Sequence, residues 1–161
     1  ALRMFVHLIG DIHQPLHSIT RCSKDHPKGD HGGNDFVLAG DYENLHSLWD
    51  SMGGLLSSLR EQCHFQAREF WETCYVTKKQ RVERVREVAK EWMKAQSEAS
   101  YDLFSEVERR LSTRDVAQSM HAIAQHAYEG VTENTAPSPE YLAKVQEHSK
   151  KYVLLGGYRL A

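Results

Sequence analysis

Cysteine, proline and any excess of one charge are scarce in this 161-residue chain: three Cys, four Pro and a net charge of −2 at pH 7. A near-neutral balance leaves no electrostatic footprint for a protein that reads the grooves of duplex DNA. It does not exclude an enzyme that grips phosphate through metal ions. The cysteines, Cys22, Cys63 and Cys74, are odd in number, so either one thiol is free or a partner lies outside the chain. On a continuous helix Cys63 and Cys74 would stand roughly 16 Å apart, beyond disulfide reach. No apolar run is longer than Tyr152 to Leu155, far too short to span a bilayer. No secretory leader opens the sequence, no Asn-x-Ser/Thr signal occurs, and no phosphate-loop or dinucleotide glycine pattern is present. Cys63 adjoins His64, but neighbours on a helix diverge, which disfavours a thiol–imidazole couple.

Histidine, by contrast, is abundant. There are ten, and His7, His13, His17, His26, His31 and His46 crowd the first third. His-x-x-x-Asp occurs as His7/Asp11, His26/Asp30, His31/Asp35 and His46/Asp50, where chance placement gives about half of one such pair. Residues four apart on a helix share a face. The middle two pairs fall in a Pro/Gly-rich loop, where that spacing carries no facial meaning, and they are set aside.

The patterning predicts an all-α single domain over residues 1–161 with one short β-hairpin. Residues 1–52 form its metal-ligand region and 55–161 its C-terminal helices. The first helix runs to about Ile12, with Leu2, Phe5, Leu8, Ile9 and Ile12 as its apolar stripe, and Pro15 breaks it. Residues 35–42 suit the hairpin, turning near Gly40-Asp41. Asn44 can cap a helix carrying Leu45, Leu48 and Trp49, and Gly53-Gly54 interrupts it. One helix is expected from Leu55 to Tyr75. Thr77 would cap another reaching about Leu111, with Val82, Val85, Val88, Ala89, Trp92 and Met93 as a buried seam. Thr113 would cap a helix over 114–129 closed by Gly130, and Ser138-Pro139 opens the last.

His17, His46 and Asp50 make a three-ligand set that leaves room for water, the pattern of a catalytic zinc. His7 and Asp11 supply half of a neighbouring site, and Asp11 could bridge two metals in the geometry used for phosphoryl displacement. From spacing alone, His7 and His46 could equally be helix histidines bonded to carboxylates one turn on. His13 points off the His7 face and suits a supporting role behind a ligand or in packing. Gly33 and Asn34 could let backbone and amide approach a substrate. His26 and His31 read as solvated loop residues. His64, His121, His126 and His148 read as surface or packing residues, and Trp71 as core.

HLIGDIHQPLH (7–17), DHGGN (30–34) and NLHSLWD (44–50), in this order, closely resemble the central motifs of the S1/P1 nuclease family, and LLGGYRLA resembles that family's closing helix. The PKGDHGGN loop is similar to the branch acting as 3′-nucleotidase/nuclease in parasitic protozoa. The resemblance implies a phospholipase C/P1 nuclease-like helical fold and a three-zinc cluster. It implies hydrolysis of single-stranded DNA, RNA and 3′-nucleotides to 5′-phosphate and 3′-hydroxyl products. Carried over, it makes His17, His46 and Asp50 one complete zinc site, and His7 and Asp11 ligands of a second, with Asp11 reaching the third. The family's remaining ligands, its transition-state arginine and its base-binding aromatic have no counterpart here. The expectation is therefore a C-terminal portion of a longer domain, impaired alone, whose partner is its own missing N-terminal segment. Secretion, with or without a membrane anchor, follows from the same resemblance. A zinc phospholipase C and a non-catalytic helical zinc-binding fragment are the alternatives.

Overall fold

The computed structural model describes residues 1–55, 78–98 and 112–160. Contacts divide the chain into two compact units, one holding residues 1–53 and 112–160, the other holding the helix Lys78–Glu98. The protein is all-α, and no sheet occurs among the described residues.

Helix α1, Leu2–Ile12, places Arg3, His7 and Asp11 along one line and apolar residues elsewhere. It stops because the sequence stops it. Gln14 precedes Pro15, and the proline ring pushes its predecessor out of the helical region; Gln14 accordingly sits at φ −85°, ψ 115°. A 3₁₀ turn, Pro15–Ser18, follows and carries His17. The expected apolar stripe is only partly buried. Ile9 is inside, whereas Leu2, Phe5 and Leu8 are exposed.

Helix α2, Leu45–Asp50, is short and depends on its cap. The Asn44 side chain accepts from the Ser47 N–H and the Ser47 hydroxyl accepts from the Asn44 N–H, a reciprocal box that satisfies two otherwise orphaned donors. Leu45, Leu48 and Trp49 face a core with Leu16, Phe36, Leu38, Tyr141 and Val145. That leaves His46 and Asp50 on the opposite side. The helix ends at Asp50, and Met52 and Gly53 just beyond it both have positive φ.

The predicted hairpin reduces to a single antiparallel bridge between Val37 and Asn44. The segment finds its other partners elsewhere: the Asn134 N–H donates to the Val37 carbonyl and the Ala39 N–H to that of Thr135. With pairing divided between two loops, no two-stranded ladder propagates.

Helix α3, Lys78–Glu98, lies in the second unit. Its expected seam is not buried: Val82, Val85, Ala89 and Met93 are exposed and Val88 and Trp92 half-buried. Thr77, the 55–75 helix beyond Leu55, Trp71, His64, Cys63 and Cys74 lie outside the described residues. Helix α4, Thr113–Ala124, starts one residue before the expected boundary because Ser112, not Thr113, caps it, in a box with Asp115. The expected continuation to Glu129 tightens into a 3₁₀ turn, Gln125–Tyr128, before Gly130. Helix α5, Pro139–Leu160, begins where the Ser138 hydroxyl accepts the Tyr141 N–H. Its Tyr141, Val145, Ser149, Tyr152 and Leu155 form the inward face. The Trp49 indole donates to the Tyr141 hydroxyl, which donates to the Ala127 carbonyl. α2, the turn Gln125–Tyr128 and α5 are thereby tied together.

The loop between the 3₁₀ turn and α2 is organised by Asp30, fully buried. Its carboxylate accepts from the Arg21 N–H (2.9 Å) and the Tyr128 hydroxyl (3.1 Å). The Arg21 guanidinium lies over the Phe36 and Tyr128 rings and reaches Glu133. Burial alone would raise the Asp30 carboxyl; hydrogen bonds from Arg21, Tyr128 and Gly33, with the Arg21 charge, outweigh it and hold the group below the usual carboxylate range. A depressed folded-state pKa contributes stability above the unfolded value that is lost as pH falls through the folded one. Asp30→Asn is therefore expected to destabilise the protein by about 1–3 kcal/mol at neutral pH. The gap from wild type should narrow in thermal melts below about pH 4; a gap that is constant with pH counts against the charge.

Candidate metal centre

Two backbone events bring the candidate ligands together. The Gln14-Pro15 break turns the chain so that His17 projects from the 3₁₀ turn, and the Asn44 box starts α2 with His46 and Asp50 one turn apart. His17, His46 and Asp50 each offer an atom, and these atoms lie within 4.8 Å of one another. His17 Nε2 is 3.7 Å from Asp50 Oδ1, and His46 Nε2 is 3.6 Å from Asp50 Oδ2. The two imidazoles stack with centroids 5.0 Å apart. They therefore present nitrogens side by side.

The donor set fits a zinc ion. Ligands near 2.0–2.1 Å around a tetrahedral zinc stand about 3.4 Å from each other; here the candidate atoms lie within 4.8 Å of one another, with His17 Nε2 and His46 Nε2 at 3.7 and 3.6 Å from the two oxygens of Asp50. The tautomer of His46 is fixed as well. Its Nδ1 lies 2.8 Å from the Gly32 carbonyl, which can only accept, so Nδ1 carries the proton and the Nε2 lone pair faces Asp50. Such a backbone partner is the usual means of orienting a ligating imidazole.

Gly32 and Gly33 make that contact possible. Both have positive φ, and a Cβ on Gly32 would come within 2.4 Å of the Leu16 carbonyl oxygen. Gly33 is buried, and its carbonyl accepts from the His46 N–H. Asn34 is exposed, and its amide donates to the His31 carbonyl.

His7 Nε2 sits 3.3 Å from Asp11 Oδ2 on the outer side of α1. Asp11 also lines a cavity of ≈ 460 Å³ together with His17, Gln14 and Asp50; Trp49, Tyr152, Val153 and Leu160 line it too. A second cleft places Asp11 and His17 with Phe5, Leu8 and Thr113. His13, at 4% exposure, is packed rather than directed at these groups. Its Nδ1–H donates to the Ile9 carbonyl, and its Nε2 accepts from the Arg159 guanidinium, both at 2.6 Å. Burial, with the Arg159 charge, pushes its pKa down against the Ile9 bond, so this imidazole is held neutral.

Several residues depart from the sequence reading. His26 is not simply solvated: it is half-buried and 3.1 Å from Glu133. The set-aside pair His31/Asp35 does form, at 2.6 Å, because the positive-φ residues His31, Gly32 and Gly33 curl the loop into a turn. Gln14 has no ligand spacing in the sequence, yet its amide donates to Asp50 Oδ1 at 2.9 Å. The available signal was its place before Pro15, in a motif already dense in ligands. His121 and His126 are exposed, and His148 packs edge-on against Trp49 and Tyr152. The Cys22 thiol is exposed and unpaired among the described residues.

Zinc should bind at one equivalent or more per chain, and His46→Ala should weaken it by more than about 100-fold, beyond the usual loss for an outer partner. Equilibrium dialysis with metal analysis measures both; a folded protein that stays metal-free at micromolar zinc contradicts the site. Gly32→Ala should cost about 1–3 kcal/mol in denaturant unfolding, from the strained φ and the clash beneath Leu16.

The chain is 41% identical over 51 residues to Nuclease S1 of Aspergillus oryzae, a stretch covering 32% of this chain and 16% of that protein. No solved structure gives a significant match. No helix among the described residues is long and apolar enough to cross a membrane. The S1/P1 Nuclease family model matches residues 1–161, and with the whole length matched the chain belongs to the S1/P1 nuclease family.

Proposed function

We propose that the protein is a zinc-dependent phosphoesterase that hydrolyses single-stranded DNA, RNA and 3′-nucleotides to 5′-phosphate and 3′-hydroxyl products. The observation that carries this reading is the convergence of His17, His46 and Asp50 within 4.8 Å in a chain of this family. His17, His46 and Asp50 would hold one zinc. His7 and Asp11 would contribute to a second, with Asp11 bridging toward a third. When bound, the metal supplies Lewis acidity and an ionised water near neutral pH.

The chain's own groups shape the rest. The carboxylates of Asp11 and Asp50 and the imidazole of His17 line one open cavity. Phosphate would enter it as an anion whose charge is met by bound cations, since no Arg or Lys is among the described residues that line it. The cavity's apolar lining of Trp49, Tyr152, Val153 and Leu160 would take an unstacked base. A duplex keeps its bases stacked inward, so single strands fit this geometry better. The exposed Asn34 amide stands on the loop that supports His46 and is proposed to contact substrate. The complete activity is proposed for the full-length gene product, with the remaining ligands supplied by a preceding segment and the 161 residues impaired alone. A secreted or otherwise extracytoplasmic setting is part of the same proposal.

The test is hydrolysis of a single-stranded oligonucleotide, a 3′-nucleotide and phosphatidylcholine vesicles by the full-length gene product. Oligonucleotide and 3′-nucleotide turnover should be abolished by chelator, restored by zinc, and lowered at least about 100-fold in kcat by Asp50→Asn. Cleavage of phosphatidylcholine with no action on the oligonucleotide would replace the nuclease reading with that of a zinc phospholipase C.

A further inference from the structure

We propose that Gln14 is a positioning residue that fixes Asp50 relative to His17; the inference rests on the metal-binding reading above. One amide serves two elements. Its oxygen accepts the Leu16 N–H, capping the 3₁₀ turn that carries His17, while its nitrogen donates to Asp50 Oδ1 at 2.9 Å. The orientation of the amide is forced, because a backbone N–H must meet the oxygen and a carboxylate must meet the NH₂. The same Asp50 oxygen lies 3.7 Å from His17 Nε2.

Asp50 needs such a partner. It is the last residue of the six-residue helix Leu45–Asp50 and its side chain is 51% exposed, so packing does little to choose its rotamer. Gln14 itself is constrained by Pro15 on one side and by its own capping bond on the other. The link therefore ties the 3₁₀ turn to an exposed carboxylate across 36 positions of sequence. The chemistry of the residue matters as much as its reach. A neutral amide orients the carboxylate without cancelling its charge, so the full negative charge remains for a cation; a lysine here would neutralise it.

Gln14→Asn separates the two roles. Asparagine remains a good cap but is one methylene too short to reach Asp50. Gln14→Met removes both bonds at similar volume. Zinc affinity, by competition with a chromophoric chelator, and the visible spectrum of the Co²⁺-loaded protein are measured for both, with melts of the metal-free protein. Gln14→Asn should melt close to wild type yet bind zinc about 10–100-fold more weakly and show an altered Co²⁺ band. Gln14→Met should lose affinity and melt lower. Wild-type affinity and spectrum in both variants, with binding lost in His46→Ala, overturns the role of Gln14 and leaves the metal centre standing. Absence of zinc and cobalt binding in wild type overturns the metal centre, and this proposal with it.

Discussion

A single hydrogen bond, from the His46 imidazole to the Gly32 carbonyl, sets the arrangement on which the remaining geometry relies. It selects the tautomer and aims the second nitrogen outward. The bond can form only because the chain at Gly32 and Gly33 adopts positive φ and passes within van der Waals contact of Leu16. Leu16 belongs to the turn that carries His17. Thus the glycine pair couples two imidazoles from separate elements, and any residue with a Cβ there would push them apart.

The local signals that served best were those with a steric cause. Pro15 ends α1, Asn44 starts α2, and Ser138-Pro139 starts α5, each because one conformation is forced or one donor satisfied. His7/Asp11 and His46/Asp50 pair as helical spacing requires. What the sequence could not convey is contact over distance. His26 reaches Glu133 and Gln14 reaches Asp50; neither has a periodic signature. Nor does hydrophobicity alone identify a buried face. Leu2, Phe5 and Leu8 on α1, and Val82, Val85 and Met93 on α3, are apolar and exposed, so periodicity found the helices but not their partners.

The buried Asp30 shows a different economy of design. An anion at 0% exposure is tolerated because donors converge on it from Arg21 and Tyr128, residues far apart in sequence. That anion lies two residues before Gly32. The polar cluster therefore holds the loop from beneath while the glycines present its upper surface to His46. Scaffold and candidate ligand shell are consecutive in the chain, which explains why DHGGN reads as one motif.

His13 and Arg159 meet at the junction of α1 with α5, and Gly156 leaves the imidazole room, a Cβ there lying 3.4 Å from its ring. This contact has consequences for biosynthesis. The end of the first helix, from which the ligand-bearing turn departs, stays unlatched until residue 159 has cleared the ribosome. Until then the His13 imidazole lacks the guanidinium that meets its Nε2 in the folded protein.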